Sequence, residues 1–294
     1  MQLLIRSLLV TVVLLVSHEA IFRLVKGRYQ ASAENITVGN GIVGQDYLYE
    51  RANANYVIVG SSLSGRIQTG MLPTGTITLG LSGLGAWDGL SLVGAAATKP
   101  RVLLVEANMI FRRPSIEYQR HLLGQPWRFL RGRLVGLRDA ARPIAFLADL
   151  ARALWRRVAP ITVVDESVSA PIGAASLDDD GLFERLITAQ RRLYDSPLSG
   201  ADRDFIAAQA KQLRVLASAG VHVEFFEMPV NPALCDSTRP LQLRTWLRLT
   251  FPEIPYRQIG RCADFETTDG IHLSTEEAER WTLGFAETMQ AMIP

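Results

Sequence analysis

A serine that follows an apolar run, a glycine-rich turn, an isolated asparagine and an Asp-x-x-His pair stand in that order along this chain. Together they hold the groups that acyl transfer through serine requires: nucleophile, base, orienter and oxyanion donors. Ser62 lies in Gly60-Ser61-Ser62-Leu63, directly after the apolar residues 56–59. A strand-to-turn junction of this kind lifts a hydroxyl to the carboxyl edge of a sheet, where open α/β folds bind ligands. Asp269 precedes His272 by three residues, so both side chains can leave one turn, the carboxylate accepting from one imidazole nitrogen while the other nitrogen faces the serine. Of the other histidines, His18 falls in an apolar N-terminal stretch, His121 in a long insertion and His222 at the start of a predicted strand. His272 alone has a carboxylate placed to orient it from a neighbouring turn. Gly83, in Leu79-Gly80-Leu81-Ser82-Gly83-Leu84-Gly85, is a candidate oxyanion donor, because a residue without a side chain lets its N–H approach a carbonyl closely. The N–H of Ser62 and the side-chain amide of Asn108 are the second and third donors. Each feature alone has a plainer reading: a polar turn, a surface Asp-His pair, a loop glycine, a strand-end cap. Their order and placement favour the chemical reading.

The elements that must position these residues follow from the hydrophobic pattern. From residue 56 short apolar runs alternate with longer amphipathic stretches, which predicts parallel strands joined by helices. Strands are expected at 56–59, 76–79, 101–105 and 221–228, with a weaker fifth at 256–259, and a helix at 86–97. Residues 205–219 form a clearer helix, with Ile206, Ala210, Leu213 and Leu216 on one face and Gly220 ending it. The last helix opens with Ser274-Thr275-Glu276-Glu277, a capping box, and carries Ala278, Trp281, Phe285 and Met289 as a core stripe. About 115 residues separate the third and fourth strands, far more than a crossover needs, so a helical insertion is expected over about 112–200.

That insertion is where the charge gathers. The chain as a whole carries +2 over 294 residues, too near balance to argue for a nucleic-acid partner. Yet eleven arginines fall within residues 112–157 against Glu117, Asp139 and Asp149, interleaved with residues such as Trp127, Phe129, Ile144, Phe146, Leu147 and Trp155. Basic amphipathic helices suit an anionic membrane surface or an acidic partner; a solvated helical lid whose arginines pair with acids elsewhere fits the same pattern. Asp178-Asp179-Asp180 reads as a turn or helix start, since three adjacent carboxylates cannot all face one ion. No metal or cofactor site is expected. Cys235 and Cys262, the two cysteines, either pair in an oxidising compartment or stay as separate buried thiols.

The N-terminus reads as an export signal or signal anchor, with a short charged start before an apolar stretch. Residues 3–22 make a full span of roughly 20 residues only if Arg6, His18 and Glu19 snorkel or pair. A small-residue cleavage site is missing, which favours an uncleaved anchor over residues 1–33, followed by a catalytic domain over 34–294. Arg23, Lys26 and Arg28 follow the apolar run and favour keeping that side in the cytoplasm. The alternative is an amphipathic helix lying on the membrane or on the protein.

In order and spacing the Gly-Ser-Ser-Leu turn, the glycine turn, Asn108 and the Asp269-x-x-His272 pair resemble the motif set of the SGNH hydrolases, also called the GDSL esterase/lipase family. The resemblance covers roughly residues 54–110 and 220–290. It implies a flavodoxin-like α/β/α sandwich around a mostly parallel five-stranded sheet, with Ser62, His272 and Asp269 as catalytic residues and Gly83 and Asn108 in the oxyanion hole. Two departures stand out: Ser61 replaces the aspartate of Gly-Asp-Ser-Leu, and Glu106-Ala107-Asn108-Met109 replaces the Gly-x-Asn-Asp block. The Gly-Ser-Ser-Leu form behind an anchor is similar to membrane-anchored relatives that act in O-acylation of envelope polymers, such as the alginate acetylation proteins and the D-alanyl transfer protein of teichoic acids. This implies a serine O-acyltransferase or esterase at the outer face of the cytoplasmic membrane, acting on acyl esters of a polysaccharide beside a multi-spanning O-acyltransferase. A general esterase or lipase is the near alternative, and a non-catalytic assembly or polysaccharide-binding partner the distant one.

Overall fold

The computed structural model describes residues 1–25, 29, 31–158 and 180–290. Lys26, Arg28, Asp178 and Asp179 lie outside them, as do the side chains of Arg152, Trp155, Arg156, Arg157 and Asp180. All five expected strands form: β1 (Tyr56–Ser61), β2 (Thr76–Leu81), β3 (Val102–Glu106), β4 (His222–Glu227) and β5 (Tyr256–Gln258). In chain order the helices are α1 (Gln2–Val25), α2 (Ile36–Tyr49), α3 (Ala86–Ala95), α4 (Ile116–Leu123), α5 (Trp127–Arg133), α6 (Pro143–Val158), α7 (Asp180–Tyr194), α8 (Gly200–Ser218), α9 (Pro232–Cys235), α10 (Thr238–Thr250) and α11 (Thr275–Gln290).

The chain divides into two compact units. One comprises residues 50–116 and 175–294, the other residues 1–49 and 117–174. The first holds the sheet, all parallel, in the order β2-β1-β3-β4-β5. β1 and β3 are buried along their whole length and apolar over residues 56–59 and 102–105, the mark of strands covered on both faces. Successive side chains of a strand point to opposite faces, and β4 shows what covers each. Phe226 packs on Trp281 and Phe285 of α11, while Phe225 packs on Phe251 at the end of α10. The result is a three-layer α/β/α sandwich. Ala278, Trp281, Phe285 and Met289 are all buried, as their helical spacing predicts.

The helix ends follow local rules. The Ser199 hydroxyl accepts from Asp202 N while Asp202 accepts from Ser199 N, a capping box that starts α8 several residues before the expected 205. Gly220, at φ +86°, ends it in the left-handed conformation that glycine adopts without a steric penalty. Cys235 and Cys262 are joined by a disulfide across 27 residues, which resolves the alternatives left by the sequence. Closing a loop of that size contributes roughly 3–4 kcal/mol by restricting the unfolded chain.

The second unit gathers α1, α2, α5, α6 and nearly all of α4. Residues 36–49 therefore group with the arginine-rich segment, and residues 180–200 with the sheet, so the division cuts across the expected 34–294 domain and 112–200 insertion. Helix α1 is 24 residues long and apolar enough to cross a membrane. By length and composition it fits a membrane anchor or a signal sequence, at roughly 1.5 Å per residue about 36 Å long. The two groups near its end that most oppose a span are paired within this unit. His18 Nε2 lies 3.0 Å from Ala141 O, and Glu19 accepts from the N–H groups of Val135 and Gly136 and from Arg23. Arg133 stacks on Phe129 and Arg138 on Tyr49. Trp127, Phe129, Ile144, Leu147, Leu150 and Leu154 remain exposed.

Candidate active site

The strand order places the site. A sheet of order 2-1-3-4-5 reverses between β1 and β3, and the crevice at the carboxyl ends of those strands is where such folds bind ligands. Gly60 and Ser61 extend β1 beyond the expected 56–59 and pair with Gly80 and Leu81 of β2, so Ser62 is the first residue to leave the sheet. The turn needs its glycines. A Cβ on Gly80 would meet Gly65 N at 2.3 Å, and one on Gly60 would meet Ser64 Oγ at 2.3 Å and Glu106 Oε2 at 2.4 Å.

His272 arrives from the far end of the chain on a loop closed by an antiparallel bridge between Thr267 and Leu273. Asp269 organises that loop: one oxygen accepts from Ile271 N (3.1 Å) and His272 N (2.8 Å), the other faces His272 Nδ1 at 2.7 Å. Gly270, at φ +92°, provides the turn between them. His272 Nε2 then lies 2.8 Å from Ser62 Oγ. A carboxylate can only accept, so the Nδ1 proton belongs to the Asp269 contact and Nε2 is left to take the serine proton. Burial raises the Asp269 pKa, but the hydrogen bonds from the His272 ring and main chain outweigh it and hold the carboxyl below its usual value. Arg66, in the turn that follows the serine (Ser64–Arg66), faces the same charge. Burial lowers its guanidinium while Asp269 works to raise it.

The expected oxyanion donors divide. Gly83 sits one strand over, in the turn after β2, at φ +74° with open space where a Cβ would point. The surrounding turn is pinned by buried Asp88, which accepts from Gly85 N and Ser115 N, and by Arg112, which donates to Leu84 O. Ser62 is the first residue past β1: its N–H meets no acceptor among the described residues, whereas those of Ser61, Leu63 and Ser64 are all bound. Asn108 is otherwise engaged. Its Oδ1 accepts from Met228 N at 2.8 Å and its Nδ2 donates to Met228 O at 2.9 Å, tying the end of β3 to the end of β4. Only its second amide hydrogen is left for an oxyanion, so Asn108 is first a strand-end tie.

His272 is not the one histidine with an orienting carboxylate, as the sequence suggested. His222 Nε2 lies 2.7 Å from Glu224, and in the other unit His121 Nε2 lies 2.7 Å from Asp139. What sets His272 apart is the serine on its second nitrogen. Glu106 joins the site from outside the expected set: it is 1% exposed beneath the serine turn, and a carboxylate ending the apolar run Val102-Leu103-Leu104-Val105 is the one signal of a specific partner that the sequence carries there. Beside Asn108 lies a small recess, with room for little more than a water molecule, lined by Phe111, Tyr194, Glu227, Arg239 and Tyr256 among others. Tyr194 is buried there with no hydrogen-bond partner for its hydroxyl among the described residues, and burial pushes its pKa far above the ordinary value. Among the described residues no group of His, Cys, Asp and Glu could hold a metal ion.

No protein-family model matches this chain, and no curated protein matches it. What the fold and the geometry define is a class: an α/β sandwich with a Ser-His-Asp relay at the switch point of its sheet.

Proposed function

We propose that this chain is an SGNH-type serine O-acyltransferase or esterase that acts on acyl esters, acetyl foremost, of a cell-envelope polysaccharide or related polymer. One observation carries the reading: Ser62 Oγ, His272 and Asp269 form a continuous relay with contacts of 2.8 and 2.7 Å. In it, Ser62 Oγ adds to the ester carbonyl as His272 Nε2 takes its proton, and the oxyanion is met by the N–H groups of Ser62 and Gly83. Collapse expels the alcohol, which takes the proton from His272, and leaves an acyl-Ser62. A sugar hydroxyl or water then adds to that acyl group with His272 again as base, and Ser62 is restored. Each oxyanion donor is worth roughly 3–4 kcal/mol in such a transition state.

The setting we propose is the outer face of the cytoplasmic membrane, with α1 as anchor and a multi-spanning O-acyltransferase as partner. The apolar length of α1 and the disulfide, which belongs to an oxidising compartment, support it. The tie of Asn108 to Met228 favours a second reading, a polysaccharide-binding partner that keeps the fold without turnover. The two part in one experiment. The full-length chain in detergent is given an aryl acetate, and then an acetylated polysaccharide with and without an unacetylated acceptor, alongside Ser62→Ala and His272→Ala. Release or transfer of acetate by the parent chain alone is the expected result. Equal inactivity of all three proteins abandons the enzyme for the binding partner.

A further inference from the structure

Of the buried ionisable groups that the relay does not use, Glu106 lies directly under the nucleophile turn. Glu106 ends β3 after four buried apolar residues and is itself 1% exposed. Its Oε2 accepts from Ser61 N at 2.8 Å and from Ser64 N at 3.0 Å, and its Oε1 accepts from Ser61 Oγ at 2.7 Å. Ser61 Oγ accepts in turn from Leu63 N at 3.2 Å, and Ser64 Oγ donates to Ser61 O at 3.0 Å. Residues 61 to 64 thus have three of their four N–H groups drawn toward one carboxylate system, and the fourth, that of Ser62, points elsewhere with its side chain.

We infer that Glu106 is the positioning residue of the site: by holding Ser61 and Ser64 from below, it sets the Ser62 N–H as an oxyanion donor and its hydroxyl on His272. This rests on the reading of Ser62 as nucleophile. Stability alone is a poor reason for the group, because a buried carboxylate costs solvation that an apolar side chain in the same volume does not. What it supplies instead is a fixed direction for a turn of otherwise free N–H groups. Position 60 is shaped to it, since any side chain there would collide with the carboxylate. Serine at position 61 is matched to it as well: a carboxylate at 61 would confront Glu106 across less than a hydrogen-bond length.

The test compares the full-length chain with Glu106→Gln, Glu106→Ala, Ser61→Asp and the Ser61→Asp/Glu106→Ala pair, reading kcat, KM and the rate of fluorophosphonate labelling per folded molecule. Glutamine keeps one acceptor for the two main-chain N–H groups and can donate to Ser61 Oγ, so it loses only about 3- to 10-fold in kcat. Alanine frees the turn and loses about 100-fold in kcat and in labelling, with KM within about twofold, because misplacement acts on the transition state. Ser61→Asp alone loses rate, yet in the alanine background it restores rate about fivefold or more, a change of sign that a packing role does not produce. Should alanine not fold, the glutamine variant and Ser61→Asp alone decide, each read as rate per folded molecule. Glutamine and alanine variants as fast as the parent, or a loss that only follows the folded fraction, overturn the inference while Ser62 keeps its role. A parent chain that is not labelled at all removes the serine reading itself and this inference with it.

Discussion

The two edges of the sheet each carry a histidine–carboxylate pair and put it to different use. At the carboxyl edge His272 faces Asp269 at 2.7 Å; near the amino edge His222 faces Glu224 at the same distance. Glu224 is nevertheless shared with Arg257, whose Nε and Nη2 both donate to it, so its charge is already answered. No serine meets the other nitrogen of His222 among the described residues. Asp269 instead spends its second oxygen on two main-chain N–H groups of its own loop, which fixes the imidazole's direction toward Ser62. A His-carboxylate pair is therefore a common structural tie. It becomes a reactive one where strands open into turns that leave a hydroxyl and N–H groups unspent.

The largest effects should fall on one edge alone. Ser62→Ala and His272→Ala are each expected to lower aryl acetate turnover by roughly 10³-fold or more, while His222→Ala stays within about twofold. An equal loss in all three variants would erase the distinction between the edges. Asp269→Asn should lower kcat by on the order of 10²–10³-fold, with the melting temperature little changed, because the amide can donate to Nδ1 and turn the imidazole to the wrong tautomer. Glu224→Gln is its mirror: activity is unchanged and stability falls by roughly 1–3 kcal/mol, the worth of a buried charge-assisted bond.

Smaller effects sharpen the comparison. Gly83→Ala forces a Cβ into a left-handed backbone with no clash to relieve, costing about 1 kcal/mol of stability and a larger share of turnover. The acid limb is the last. Burial raises the Glu224 pKa, but its bonds with Arg257 and His222 outweigh this and leave it lowered. A lowered folded value contributes stability that is full above the ordinary glutamate value of 4.5 and drains away as pH falls through the folded value. Acid melts of the parent should show that loss, and Glu224→Gln should flatten it.

Much of this was legible in the sequence, for identifiable reasons. The strands announced themselves because both faces of β1 and β3 are covered, which makes them unbroken apolar runs. Ser62, Asp269 and His272 could be read because turn signals bracket each of them. Glu106 could not, since its partners lie 42 and 45 residues away and a glutamate at a strand end looks like any polar exit. The Asn108 tie and the carboxylate of His121 are likewise set by contacts distant in sequence, whereas Glu224 lies two residues from His222 on the same strand, where the i, i+2 spacing puts both on one face. Helix α2 escaped notice for another reason: what it buries is Asn40, Gly41, Gly44, Gln45 and Tyr47, so it shows no apolar stripe.

The central claim is that Ser62 is the one serine activated by its surroundings. It is tested most directly by treating the full-length chain in detergent with a fluorophosphonate, digesting it and locating the modified residue by mass spectrometry. The account predicts a single adduct on Ser62 that disappears in His272→Ala and persists in His222→Ala. An adduct on another serine, or one on Ser62 that forms as fast without His272, would contradict it.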